Sequence, residues 1–528
     1  MKNALISPQW RKLGLTAGVA LSITSTNLLA DEGMWTVDNF PASQIADQYG
    51  TVVEQGLLDK LRLSTTRVEG GCTGSFASPD GLVLTNHHCI QRCLTQLSSE
   101  ENDVRAKGFV AGKRADEQRC ESEQLSVLID LEDVTDKVNL ATSGLSEEEA
   151  NRTRKSTLTE LENACKESAG DTISVCEAVT LYQGGQYFLY KYKRYDDIRL
   201  VFAPEQSIAA FGGDPDNFNF PRWCLDMALL RAYEDGKPAM SPDYLRWNRA
   251  GAEKGETVFV SGHPGSTQRL ISVAELQMLR DTRLPKWIER NAELRGRIIQ
   301  FGKTGDEQAR VANGVLQGLE NGLKVQRNRL SALLSQDGFS AKLSAEQALR
   351  DAIMKDPELR EKYAASWNDI DRAVDEYRNV YTRYSFVESG AGFSGNLFSY
   401  ARTLVRAAAE REKPEGKRLR AYTDNRLPKV KQRLLAARPI SADLEKLRMS
   451  FSLDKLRETL GPDDYFVKLV LKKNSPDALA ERLVDGSSLA DPAVREKLWE
   501  GGQAAIDAST DPMIELARAI DPEARSLR

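Results

Sequence analysis

The sequence is poor in histidine and uneven in cysteine. Its 528 residues hold three histidines, His87, His88 and His263, and no cysteine follows Cys224. No charge excess favours nucleic acid: the formal net charge is −5, so a polyanion is not the expected partner. The basic stretch from Arg402 to Arg438 is interleaved with Leu, Ala and Glu at helical spacing and reads as a solvated helix face. After residue 30 no apolar run is long enough to span a membrane. No fixed-period repeat occurs. His87, His88, Cys89 and Cys93 are too crowded for a standard zinc pattern, so no metal and no cofactor are expected.

What is present begins with an export signal. Lys2, Arg11 and Lys12 precede a short apolar stretch that ends at the small residue Ala30, and acidic residues follow. This predicts a signal peptide over 1–30 and an exported protein, periplasmic, secreted or held at the cell surface. Seven cysteines between Cys72 and Cys224 then read as disulfides of one domain, with an odd one left over, Cys224 being the candidate.

Residues 31 to about 95 read as strands and turns, with a turn at Ser78-Pro79-Asp80-Gly81 before the strand "LVLT". A charged helical or looped excursion is expected over about 97–175. Strand character returns at 178–204 and at 256–266, "ETVFVSGHPGS". From about 271 to 528 helical patterns dominate, several announced by a cap residue and proline: Ser475-Pro476, Asp491-Pro492 and Asp511-Pro512.

A strand ending in Thr-X-X-His-Cys can present an imidazole as a general base, and such a base needs an orienting carboxylate. "GLVLTNHHC" supplies the first element. "CLDMALLR", residues 224–231, supplies the second, with Asp226 at the head of an apolar strand. Between them lies the turn-rich, aromatic "FGGDPDNFNFPRW", residues 211–223. Together these segments resemble the bacterial serine dipeptidyl-peptidases of types 7 and 11, chymotrypsin-like exopeptidases with a helical domain inserted into the second barrel.

The resemblance implies an α+β fold: a chymotrypsin-like double β-barrel over 31–270, with its second barrel incomplete, and an all-α cap over 271–528. It implies His88 as general base, Asp226 as its orienting acid, and His87 in a supporting or structural place. Cys72, 17 residues before Cys89, would brace the histidine strand through a disulfide. Asn217 and Phe218, with Asn321 from the helical domain, would hold the substrate's α-amino group. The expected partners are oligopeptides with a free N-terminus, and a second copy of the chain in a homodimer.

The family's serine stands in a Gly-Asn-Ser-Gly-Ser-Pro type segment after the helical domain. None occurs here, so the chain is expected to be a C-terminally truncated copy without hydrolytic activity; the alternative is a non-catalytic peptide-binding relic. Ser394, in "GAGFSGN", precedes an amphipathic helix and reads as part of its cap rather than a nucleophile, and Ser266 reads as a turn residue.

Overall fold

The computed structural model describes residues 34–68, 70–168, 170, 173–209, 217, 219–264 and 271–528. The expected signal peptide and Phe218 lie outside the described residues. The chain divides after Glu54 into two compact units.

The first unit contains the helix Ala42–Tyr49, and the second opens with the helix Gln55–Ser64. Both stand where strands and turns were expected. In "QGLLDKLRLS" the apolar residues Leu57, Leu58 and Leu61 recur at helical spacing, and that period prevails over the strand reading.

Eleven strands follow: β1 (Thr65–Val68), β2 (Cys72–Phe76), β3 (Leu82–Thr85), β4 (Phe109–Val110), β5 (Gln118–Arg119), β6 (Leu125–Asp133), β7 (Val175–Leu181), β8 (Gln186–Tyr195), β9 (Asp197–Ala203), β10 (Ala228–Glu234) and β11 (Lys237–Pro238). They form one antiparallel sheet in the order β4-β9-β10-β3-β2-β1-β6-β8-β7, with β5 on β9 and β11 on β10. Among the described residues this path is open at both ends, so no closed barrel is formed by it. β6 falls inside the expected surface excursion, yet it pairs with β1 and β8 in mid-sheet. Its "LSVLIDLED" is apolar enough to be buried on both sides over Leu125–Leu128.

The turn before β3 forms as expected. Gly81 has φ +74°, and a Cβ there would stand 2.8 Å from the Ala232 carbonyl oxygen, so only glycine fits. Val68, Phe76, Val83, Ile90, Leu125, Ile198, Leu200 and Leu230 pack behind the sheet with no more than 2% exposure. Burial of each contributes about 1.5–3 kcal/mol. That core fixes the strands that carry the site.

The strand expected over 256–266 is absent from 256–264, where no described strand pairs with the segment; 265–270 lie outside the described residues. Side chains hold it instead: Thr65 Oγ1 and Ser261 Oγ are 2.7 Å apart, and His263 N donates to Thr73 Oγ1 at 2.8 Å.

From Val273 onward the described chain is helical. The expected caps are in place: Ser475 accepts from Ala478 N, Asp491 from Ala493 N, and Asp511 from Met513 N and Ile514 N. No helix among the described residues is long and apolar enough to cross a membrane.

Candidate active site

β3 and β10 run antiparallel with Thr85 opposite Ala228. Two residues beyond each end of that pairing, Asp226 comes level with the 3₁₀ turn His87–Ile90. The register therefore delivers the carboxylate to the histidines without any long loop. Asn86 Nδ2 donates to the Asp226 carbonyl at 2.9 Å, His88 N donates to Asp226 Oδ1 at 3.0 Å, and His88 Nδ1 meets Asp226 Oδ2 at 2.7 Å.

An ionised carboxylate only accepts, so Nδ1 carries the proton and Nε2 is the basic nitrogen. Burial by itself would raise the Asp226 pKa. The bonds from the His88 ring and backbone outweigh it and hold the carboxyl below its ordinary range. The Asp226 side chain is 14% exposed and that of His88 33%, so the acid is shielded while the imidazole stays accessible. An imidazole so held can take a proton at Nε2 and later return it.

The segment is clamped from behind. Cys72, the first residue of β2, is disulfide-bonded to Cys89, with 6.0 Å between their Cα atoms. Thr85 Oγ1 donates to the Thr73 carbonyl at 2.9 Å. Cys93–Cys120 and Cys165–Cys176 form two more disulfides, and Cys224 belongs to none of the three. Cys72, His88 and Cys89 present ligand-type atoms within 4.8 Å of one another. Both sulfurs are consumed by the disulfide, so this trio does not suit a metal.

His87 is buried within the fold. It is 1% exposed, its Nδ1 lies 3.1 Å from Gln91 Nε2, and burial chiefly lowers its pKa. Burial there favours the uncharged form of the ring.

Asn217 is fully buried, and its Nδ2 donates to Asn321 Oδ1 at 3.2 Å. Asn321 lies on the helix Asp306–Leu334, so the two expected asparagines, 104 residues apart, are brought together. Asn217 Oδ1 is buried without a hydrogen-bond partner among the described residues. Two further links join the same helix to segments next to the sheet, the short helix Val104–Lys107 and the turn after β9, and were not read from the sequence. Arg105 Nη2 donates to the Arg310 carbonyl at 2.7 Å, and Gln206 Nε2 to Asn313 Oδ1 at 2.8 Å. Positions 310, 313, 314 and 321 share one helical face, and that spacing was the available signal.

Ser394 lies in the helical region, where its Oγ accepts from Arg290 Nη2 at 3.1 Å and its N–H donates to Ser452 Oγ at 3.2 Å.

A histidine and a half-buried aspartate at the paired ends of two antiparallel strands, in a chain that continues into a helical region, point to a class of enzyme. Residues 30–528 match the Peptidase S46 family, and the chain belongs to it. It is 28% identical to the Asp/Glu-specific dipeptidyl-peptidase of Shewanella putrefaciens, over 95% of this chain and 70% of that protein. It is 29% identical to dipeptidyl-peptidase 7 of Phocaeicola vulgatus, over 67% of this chain and 52% of the relative. The chain thus spans about half to 70% of the length of these relatives. In fold it is similar to Porphyromonas endodontalis DPP11 in complex with the dipeptide Arg-Glu, with a TM-score of 0.70, 20% identity, and coverage of 94% and 74% of the two chains.

Proposed function

We propose that this chain carries the general base, its orienting acid and the amino-group pocket of a serine-type dipeptidyl-peptidase, an enzyme that releases dipeptides from the free N-terminus of oligopeptides, and that without a nucleophilic serine of its own it binds such peptides but does not cleave them. The observation that carries the reading is the 2.7 Å contact between His88 Nδ1 and Asp226 Oδ2. In this reading His88 Nε2 takes the proton of the nucleophilic hydroxyl as that oxygen bonds to the scissile carbonyl carbon. Asp226 steadies the imidazolium, which then gives the proton to the departing amine. The nucleophile is left unassigned among these residues.

Asn217 Oδ1 and Asn321 receive the substrate's ammonium group, with Phe218 beside it. An ammonium needs several oxygen acceptors, and a buried acceptor without a partner supports that role. The open sheet and the irregular segment up to 264 are read as parts of a chymotrypsin-like double barrel, and residues 271–528 as its cap. Three disulfides suit an exported protein in an oxidising compartment.

The test is incubation of the purified protein with oligopeptides carrying free or acetylated N-termini, followed by mass spectrometry and calorimetry. Binding of free peptides without release is expected of this chain, and dipeptide release, lost in His88→Ala, of the chain extended with a family C-terminal segment. Binding without release by the extended chain as well favours the peptide-binding relic. Equal treatment of acetylated peptides overturns the amino-group assignment.

A further inference from the structure

The "GAGFSGN" stretch, residues 390–396, has no part in the site around His88. It joins the helices Ser366–Val387 and Asn396–Arg411 and is pressed close to its neighbours. Gly390 has φ +82°, and a Cβ on Gly392 would stand 2.9 Å from the Phe386 carbonyl oxygen. Tight glycine turns of this kind bring backbone and hydroxyl groups within reach of a small ligand.

Three arginines converge on this stretch. Arg290, from the helix Leu284–Gly302, donates through Nη2 to the Ala391 carbonyl at 2.6 Å and to Ser394 Oγ and Ser452 Oγ at 3.1 Å each. Its guanidinium lies 5.4 Å from the Phe451 ring centroid. Arg448, from the helix Ala442–Leu460, reaches Glu445 Oε1 at 3.7 Å. Arg438 Nη1 donates to Asn396 Oδ1 at 3.1 Å.

Glu445 is the one carboxylate recorded within this group, and it is already engaged. Its Oε1 accepts from Asn396 Nδ2 at 2.8 Å, and its Oε2 from Leu397 N at 3.0 Å. Arg438 is exposed, so within the part-buried group two guanidiniums stand against one carboxylate. The acceptors given to Arg290 are all neutral oxygens. The Nε atoms of Arg290 and Arg448 are both buried without a hydrogen-bond partner among the described residues.

A guanidinium keeps its proton at any ordinary pH, so burial without a counter-charge is costly. Burial first, then the Arg448 charge, brings Arg290 down to about 10. The positive end of a 16-residue helix adds to the same field at Asn396. Planar guanidinium forks, serine hydroxyls and a helix N-terminus are the groups that recognise a tetrahedral oxyanion.

We propose that Arg290 and Arg448, with the Ser394 and Ser452 hydroxyls, form a binding site for a small oxyanion of the phosphate class. The anion neutralises the cluster and ties the helix Leu284–Gly302 to the start of the helix Asn396–Arg411 and to the middle of the helix Ala442–Leu460. Ser394 thus serves an anion rather than a peptide bond, and the site stands whether or not the peptidase reading holds.

The experiment is calorimetric titration of the phosphate-free protein with inorganic phosphate, at ionic strength held constant with sodium chloride. Saturable binding of one phosphate is expected, weakened about tenfold or more in Arg448→Gln through loss of a charged donor. Arg290→Lys, which keeps the charge but not the fork, should weaken it as well. Should either variant fail to fold, phosphorus NMR of the wild-type protein gives the answer: broadening of the phosphate line, reversed by sulfate, is expected. Absence of saturable binding, undiminished binding in folded Arg448→Gln, or equal displacement by chloride overturns the proposal.

Discussion

His88 and Asp226, 138 residues apart in sequence, meet through two bonds, Nδ1 to Oδ2 at 2.7 Å and backbone N to Oδ1 at 3.0 Å. The second bond fixes the carboxylate before the ring is considered. Asp226→Asn should therefore leave the strand pairing intact while removing the ionised acceptor that holds the Nδ1–H tautomer. With three histidines in the chain, nitrogen-resolved NMR of the imidazoles can follow the change directly. A protonated Nδ1 on His88 in the wild type, lost or mixed in Asp226→Asn, is expected.

Cys72–Cys89 closes a loop of 17 residues behind His88. Replacing both cysteines by serine should cost about 3 kcal/mol, chiefly through the freer unfolded chain. Urea unfolding of oxidised wild-type and variant proteins measures it. A difference below about 1 kcal/mol would mean that the disulfide adds little to the clamp.

Stability should fall on acidification in two stages. Burial first, then Arg67, brings His263 down to about 4 from an ordinary 6.5. As pH falls below 6.5 the unfolded chain takes up this proton and the folded one does not, so stability declines between about pH 6.5 and 4. Asp226 has a lowered pKa, so its contribution is lost only below its ordinary 3.8. Urea midpoints across this range should show the first decline flattened in His263→Gln and the second in Asp226→Asn.

Asn217→Ala should weaken binding of free-amine peptides about tenfold or more while leaving acetylated peptides unaffected, since one charged hydrogen bond is removed. Asn321→Ala should act in the same direction. Calorimetric titration of both variants with one pair of peptides checks this. An equal loss for both peptides would indicate collapse of the local fold instead.

The sheet and the helical region are also joined by a buried charge cluster. Glu162, 1% exposed, accepts from Ala178 N at 2.7 Å, Arg420 Nη2 at 3.0 Å and Arg426 Nη2 at 3.3 Å. Beside it, burial would raise the Glu177 pKa, but Arg67 and Arg426 hold it at about 2. Glu162→Ala should cost about 1–3 kcal/mol, since Ala178 N loses its acceptor while Arg420 and Arg426 keep the Ala178 carbonyl and Glu177. Chemical unfolding gives the value, and a loss under about 1 kcal/mol would show the junction to be held elsewhere.

Local chemistry made part of this protein legible from its sequence. Proline after Ser475, Asp491 and Asp511 marks helix starts because the cap depends on neighbouring residues alone. Gly81 belongs to the same kind of signal, and so does the strand on either side of the site, "LVLT" and "ALLR", whereas the pairing of Cys72 with Cys89 was expected through the likeness of motifs. The pairing of Asn217 with Asn321 was expected only through the likeness of motifs, since no local rule joins residues 104 positions apart. Tertiary structure decided the rest. It placed β6 in mid-sheet and left 256–264 outside it, because a strand exists only where a partner takes up its backbone groups. It brought Arg290 and Arg448 to one glycine loop, where their charges face few counter-charges. Sequence periodicity determined which residues could form helices and strands; long-range packing alone determined which charges would be buried together.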